Sequence, residues 1–259
     1  MCTDLGTKAI VAEAWAPSTT PAPISISRDN LRDAVEDLGK PAVLVVEDLL
    51  NDGAFIYSLA EVFKEARVYE ALNKGWAVFR HSGGERLELV AKSERDSFHH
   101  VVRIFALLDS DRWSPGQVTK SHKKARQLAA DGIEVHVLEL REAENYVPNS
   151  VLFLCGKHKI INRRVNALKK LTKEQRGYYD MKYGFGRPDE PARIRSEHGT
   201  LFSDTPAELI KALRGGFGTK ILARFRERSP YLAPTEFERP NLDTADEIRE
   251  ILQKIATII

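Results

Sequence analysis

Asp109 and Asp111 flank Ser110 directly after an apolar run over residues 101–108. A run of this kind reads as a strand buried on both faces. Carboxylates two apart on an extended chain share a face, so the pair is expected to grip one hard cation such as Mg²⁺. Two more apolar runs end in acids. Glu47 follows residues 42–46, and Glu139, Glu142 and Glu144 follow residues 133–138. One acid at a strand end is commonly a solvated turn. Acids gathered from three strand ends repel one another unless positive charge sits between them, and a divalent cation is the economical source of it.

The elements that must position these acids alternate along the chain. A helix is expected over 28–38, with Ser27 as its cap, Leu31, Ala34, Val35 and Leu38 on its apolar face, and Gly39 behind. Then come a strand over 42–46, a helix over 52–66, a strand over 76–79 and a turn at Ser82-Gly83-Gly84 leading into a helix to 92. The strand over 101–108, a polar helix over 118–130 and a strand over 133–138 complete the series. Strands separated by single helices imply right-handed crossovers and a mainly parallel sheet of four strands flanked by helices. Past Pro148 the pattern turns mainly helical: a basic segment over 163–176, a helix opened by Thr205-Pro206, and one opened by Thr244 with Ile248, Ile251, Leu252 and Ile255 on one face. The expected organisation is a leader and helix over 1–40, an α/β domain over 41–148 and a helical C-terminal region over 149–259.

In order and spacing, Val45-Val46-Glu47, Leu108-Asp109-Ser110-Asp111 and Arg141-Glu142-Ala143-Glu144-Asn145-Tyr146 resemble the TOPRIM fold of topoisomerases, bacterial primases and OLD-family nucleases. That family carries a glutamate after its first strand, a DxD after its third and further acids beyond the next. Ser82-Gly83-Gly84 resembles a turn of OLD-like members, and the likeness covers residues 41–148. One departure stands out. The family reads Glu-Gly-x-x-Asp, whereas this chain reads Glu47-Asp48-Leu49-Leu50-Asn51-Asp52, without the glycine and with the aspartate replaced by Asn51 or displaced to Asp52.

The resemblance implies a Mg²⁺- or Mn²⁺-dependent nuclease hydrolysing phosphodiester bonds. Its metal ligands would be Glu47, Asp109, Asp111, Glu142 and Glu144, with Lys182 as the lysine that stabilises charge on the phosphate. Lys157 or Lys159 could serve in place of Lys182. The basic stripe Lys157, Lys159, Arg163, Arg164, Lys169 and Lys170 is expected to meet nucleic acid, DNA or RNA. OLD-like units often work with an ATPase. Gly215-Gly216-Phe217-Gly218-Thr219-Lys220 lacks the spacing of a P-loop, so a separately encoded ATPase and a role as effector of a prokaryotic anti-phage system are the implied setting. The alternatives are a degenerate TOPRIM module acting through a partner protein and, further off, a DxD nucleotide-sugar glycosyltransferase, which leaves Glu47 and Glu144 without a role.

Bulk properties set bounds rather than a function. The chain has 259 residues, 42% of them hydrophobic and 29% charged, with a net charge of +2. That is the balance of an ordinary globular protein. Cys2 and Cys155 exclude a disulfide framework, and no Cys/His grouping has zinc spacing. No apolar run approaches the roughly 18 residues of a membrane span. The N-terminus lacks the pattern of a signal peptide, so a cytoplasmic protein is expected.

Overall fold

The apolar runs at 42–46 and 104–108 become fully buried central strands here because helices roof them on both faces, as a parallel sheet requires, while the two edge strands are only partly covered. The computed structural model describes residues 24–259 apart from 84, 85, 188, 190, 240 and 241. The leader up to residue 23 and Gly84 of the Ser82-Gly83-Gly84 turn therefore lie outside the described residues. Strands β1 (Ala42–Val46), β2 (Ala77–His81), β3 (Ile104–Leu108) and β4 (Glu134–Val137) pair in parallel in the order β2-β1-β3-β4. Alternate side chains feed two cores. Ala42, Leu44, Val46, Phe105 and Leu107 point to one face, which carries helices α2 (Asp52–Val62) and α3 (Ala66–Lys74). Val43, Val45, Ile104, Ala106 and Leu108 point to the other, roofed by α4 (Leu87–Arg95) and α5 (Lys120–Ala130).

Several local expectations shift. The helix expected over 52–66 stops at Val62, because Lys64 adopts a left-handed φ of 58° and the Glu65 N–H closes onto the Ala60 carbonyl. α3 follows as a separate helix. The third strand pairs only from Ile104. The Val101 N–H is drawn instead to Asp37, and the Arg103 side chain is spent on the carbonyls of Leu38, Lys40, Ile258 and Ile259.

Asn30, not Ser27, stands at the N-cap position of helix α1 (Leu31–Gly39), but its side chain accepts the Ser27 N–H and makes no capping bond to the helix. It buries Ala34 and Asp37 and leaves Leu31, Val35 and Leu38 largely exposed, against the apolar periodicity. Asp37 decides that rotation. Burial alone would raise its pKa, but the N–H groups of His100, Val101 and His99 and the Lys40 ammonium hold it down at about 2.

The C-terminal region comprises α6 (Asn149–Leu152), α7 (His158–Leu168), α8 (Lys173–Gly177), α9 (Ala207–Ala212), α10 (Ile221–Arg228), a two-stranded antiparallel ribbon of β5 (Glu238–Arg239) and β6 (Leu242–Asp243), and α11 (Ala245–Ile258). The basic segment expected as one helix over 163–176 is thus two, broken over 169–172. Ile248, Ile251, Leu252 and Ile255 of α11 are buried in the same core as Leu44 and Phe105. Among the described residues no helix is long and apolar enough to cross a membrane.

The strand order reverses at β1. The chain steps outward from β1 to β2, then crosses back to β3 on the other side. The helix leaving β1 and the helix leaving β3 therefore go to opposite faces, and the carboxyl ends of these two neighbouring strands frame a crevice. Open α/β sheets bind ligands at such a switch point.

Candidate metal centre

Glu47 and Asp109 are the first residues beyond β1 and β3, so both stand at this crevice. The chain turns sharply after each. Past Glu47, the Asp48 carboxylate accepts the N–H groups of Leu50 and Asn51 and the Asn51 side-chain amide, and the Asp48 N–H donates to Asp52 Oδ2 at 2.9 Å. Asp48 thereby closes the turn that opens α2, which makes it a local turn former in the place of the missing glycine. Asp52, on the first turn of α2, is brought to the crevice.

Past Asp109, Ser110 is fully buried, its hydroxyl donating to the Leu140 carbonyl at 2.6 Å. Asp111 has a φ of 54°, and its N–H donates to the Arg141 carbonyl at 3.0 Å. The backbone is no longer extended, so the two aspartates do not share one environment as strand spacing suggests. Asp109 Oδ1 accepts the Ala143 N–H at 3.0 Å, whereas Asp111 is exposed and Asp111 Oδ2 accepts from the Ser121 hydroxyl of α5 at 3.4 Å.

The inner group forms where β4 ends. A single 3₁₀ turn over Ala143–Tyr146 presents Glu142 and Glu144, both buried. Asn145 at its centre donates to the carbonyls of Arg176 and Tyr179, each at 2.9 Å, and accepts the Glu142 N–H. The Tyr146 hydroxyl donates to Glu247 Oε2 of α11 at 2.6 Å and accepts the Leu140 N–H at 3.0 Å; Glu247 Oε1 also faces His136 Nε2 and the Glu139 N–H. Glu139 itself has Glu247, His136 and Glu250 as its charged neighbours, and so belongs to this α11 contact instead.

Lys182 spans the inner acids, its ammonium 2.8 Å from Glu142 Oε2 and 3.0 Å from Glu144 Oε1. The loop that carries it is clamped by the glycine-rich segment: Phe217 N–H donates to the Met181 carbonyl and Gly218 N–H to the Lys182 carbonyl. At Gly216, with φ 49°, any Cβ would overlap that Lys182 carbonyl. Lys157 and Lys159, the alternatives to Lys182, are exposed with no ion pair to these acids.

The electrostatics follow from crowding. Burial, then Asp52, Glu144 and Glu142, push Asp109 well above the ordinary carboxylate range, with Lys182 opposing. Burial, then Glu142, raises Glu144 to about 7 against the pull of Lys182. Burial, then Asp111, raises Glu47, with Lys124 and Lys182 opposing. Lys182 is held firmly protonated by Glu142 and Glu144 although burial works the other way. Two sets emerge: Asp109, Glu142, Glu144 and Lys182 inside, Glu47, Asp111 and Lys124 outside, with Asp52 acting on both Glu47 and Asp109. Lys124 escapes a reading of the sequence because its position on α5 carries no motif; only the direction in which α5 leaves β3 turns it towards Glu47.

The donors suit a hard divalent cation in kind, being carboxylates only. Two buried oxygens, Glu142 Oε1 and Glu144 Oε2, have no hydrogen-bond partner, which leaves lone pairs for it. Among the described residues, however, no three acids converge at metal-ligand distance, and Lys182 holds the space between Glu142 and Glu144.

The residues read as a nucleic-acid stripe divide. Lys157, Lys159, Arg163, Lys169 and Lys170 are exposed, with Lys169 over the Phe153 ring. Arg164 turns inward to the Gly216 carbonyl. Compared with known protein families, curated proteins and solved structures, the chain matches none of them.

Proposed function

We propose that the crevice is the active centre of a TOPRIM-like, Mg²⁺- or Mn²⁺-dependent nuclease that hydrolyses phosphodiester bonds. The carrying observation is the buried acid pair Glu142 and Glu144, each with an oxygen that accepts no hydrogen bond, although Arg141 Nε lies 3.7 Å from Glu142 Oε1, beside an Asp109 pushed towards neutrality by burial and then by its neighbours. Burial and crowding take charge off these acids beyond what Lys182 offsets, and a divalent cation would relieve both. Asp109, Glu142 and Glu144 would hold it, with Glu47, Asp52 and Asp111 at the outer side. When bound, it polarises the phosphoryl oxygen and lowers the pKa of an attacking water. Glu47, half-buried with its pKa raised, is suited to accept that water's proton. Lys182, released from the carboxylates by the incoming charge, would face the phosphate oxygens.

One observation favours a second reading, a module without turnover that acts through a partner protein. As folded, Lys182 already places one positive charge between the two inner carboxylates. The ATPase partner and the anti-phage setting rest on the resemblance alone.

Plasmid, single-stranded DNA and tRNA incubated with the protein and Mg²⁺ or Mn²⁺ separate the two. The nuclease reading expects cleavage that EDTA stops and that Asp109→Asn lowers by about 100-fold or more. Calorimetry with Mn²⁺ gives the second arm. No cleavage together with no Mn²⁺ binding leaves only the partner-binding module, whereas cleavage undiminished in Asp109→Asn removes the site assignment.

A further inference from the structure

Most surface helices of this protein pair their cations with acids one turn away. Lys40 meets Glu36 on α1, Lys74 meets Glu70 on α3, Lys92 meets Glu88 on α4, Arg224 meets Glu227 on α10, and Lys254 meets Glu250 on α11. α5 does not. Between Arg112 and Ala130 there is no Asp or Glu, while Lys120, Lys123, Lys124 and Arg126 follow one another on the helix. None of these four cations has an ion pair among the described residues. Unpaired like charges on one helix cost stability, so their company needs a reason.

Their position supplies one. α5 is the helix that follows β3, after the loop of residues 109–119, its first turn reaches Asp111 at the carboxyl edge of the sheet, and its N-terminal dipole adds positive potential there. The Ser121 hydroxyl touches Asp111, and Lys124 is among the charged groups acting on Glu47. Lys120 lies one helical turn from both Lys123 and Lys124, so the three can meet neighbouring phosphates. α7 also lacks acids, but its Arg164 is turned inward, and no charge on it is among the groups acting on Glu47, Asp109 or Glu144.

We propose that the leading half of α5, through Lys120, Lys123 and Lys124, is the surface that holds the phosphate backbone of a nucleic-acid strand and lays it against the carboxylates. The proposal rests on the nuclease reading of the crevice and replaces the α7 stripe as the main binding face. Lys124 of α5 and Lys182 both act on Glu47, so a bound phosphodiester at that carboxylate would meet positive charge from both elements.

The test measures binding without cleavage. Fluorescence anisotropy of labelled single-stranded DNA, duplex and RNA is followed in EDTA against salt, for the wild type and three charge-matched variants. Lys120→Ala/Lys123→Ala/Lys124→Ala is expected to bind about 10-fold or more weakly, with the slope of log K against log salt reduced by roughly 2 to 3. Lys157→Ala/Lys159→Ala/Arg163→Ala is expected to bind as the wild type does. Because Lys124 is half-buried, Lys120→Ala/Lys123→Ala/Arg126→Ala keeps the test open should the first variant fold poorly. Equal binding by the α5 variants and the wild type, or an equal loss in the α7 variant, overturns the proposal. A wild type that binds none of the three nucleic acids yet still binds Mn²⁺ overturns it while leaving the metal centre. Failure of the nuclease reading shows differently, as binding without cleavage in Mg²⁺ or Mn²⁺.

Discussion

Glu144 is 2% exposed, with one carboxylate oxygen on Lys182 and the other on nothing. Its pKa of about 7 against an ordinary 4.5 is a statement about stability. Between those values the folded protein keeps a proton that the unfolded chain has released. The contribution of neutral Glu144 is therefore full below pH 4.5 and is lost as pH rises to about 7. A shift of this size corresponds to something on the order of 3 kcal/mol. Urea unfolding in EDTA across that window should show wild-type stability falling, and Glu144→Gln should flatten the fall. Added Mn²⁺ should restore the wild type above pH 7 and do little for the variant. An identical pH profile in the variant would place the strain elsewhere.

At the scale of elements, the 3₁₀ turn that carries Glu142 and Glu144 is held from below by α11. The Tyr146 hydroxyl is shared between Glu247 and the Leu140 N–H, so one atom joins the last helix, the end of β4 and the acidic turn. Tyr146→Phe leaves the buried Glu247 carboxylate and the part-buried Leu140 N–H without that partner and should cost about 1 to 3 kcal/mol of stability. It should also loosen the turn, so Mn²⁺ affinity measured by calorimetry should fall more than 5-fold at a temperature where the variant remains folded, about 1 kcal/mol of lost preorganisation. Lower stability with unaltered Mn²⁺ affinity would show that the turn keeps its shape without α11.

The whole molecule is two cores divided by one sheet, and they are unequal. The α4/α5 side is closed within residues 43–137, whereas the other side draws on α2, α3 and nearly every element of the C-terminal region. α11 alone buries Ile248, Ile251, Leu252, Ile255 and Ile258 there. At roughly 2 kcal/mol for each such side chain, the helix contributes about as much as the 5 to 15 kcal/mol that separates folded from unfolded domains. Removal of residues 245–259 should therefore unfold the sheet as well, read by circular dichroism and hydrogen exchange. A cooperative, native-like melt of the truncated chain would mean that the sheet and α2 suffice.

By itself the sequence determined the strands, their parallel pairing and the acids at their ends. Apolar runs of this length between helices leave few other solutions, and β1 begins and ends where the hydrophobic run does. The apolar face of α11 was equally legible, since a period of 3.6 survives whatever it packs against. Tertiary structure decided the rest. The order β2-β1-β3-β4 sets which acids are neighbours, and no local pattern encodes it. The rotation of α1 follows Asp37 and three N–H groups some sixty residues away, which overrides the helix's own periodicity. Asp109 and Asp111 look equivalent on a strand and become unlike because the chain turns at Ser110. Lys182 and Lys124 are ordinary lysines until a clamped loop and a crossover helix bring their charge to bear on the carboxylates. Long-range electrostatics of this kind depends on distances between elements, and distances are what a linear pattern of residues does not contain.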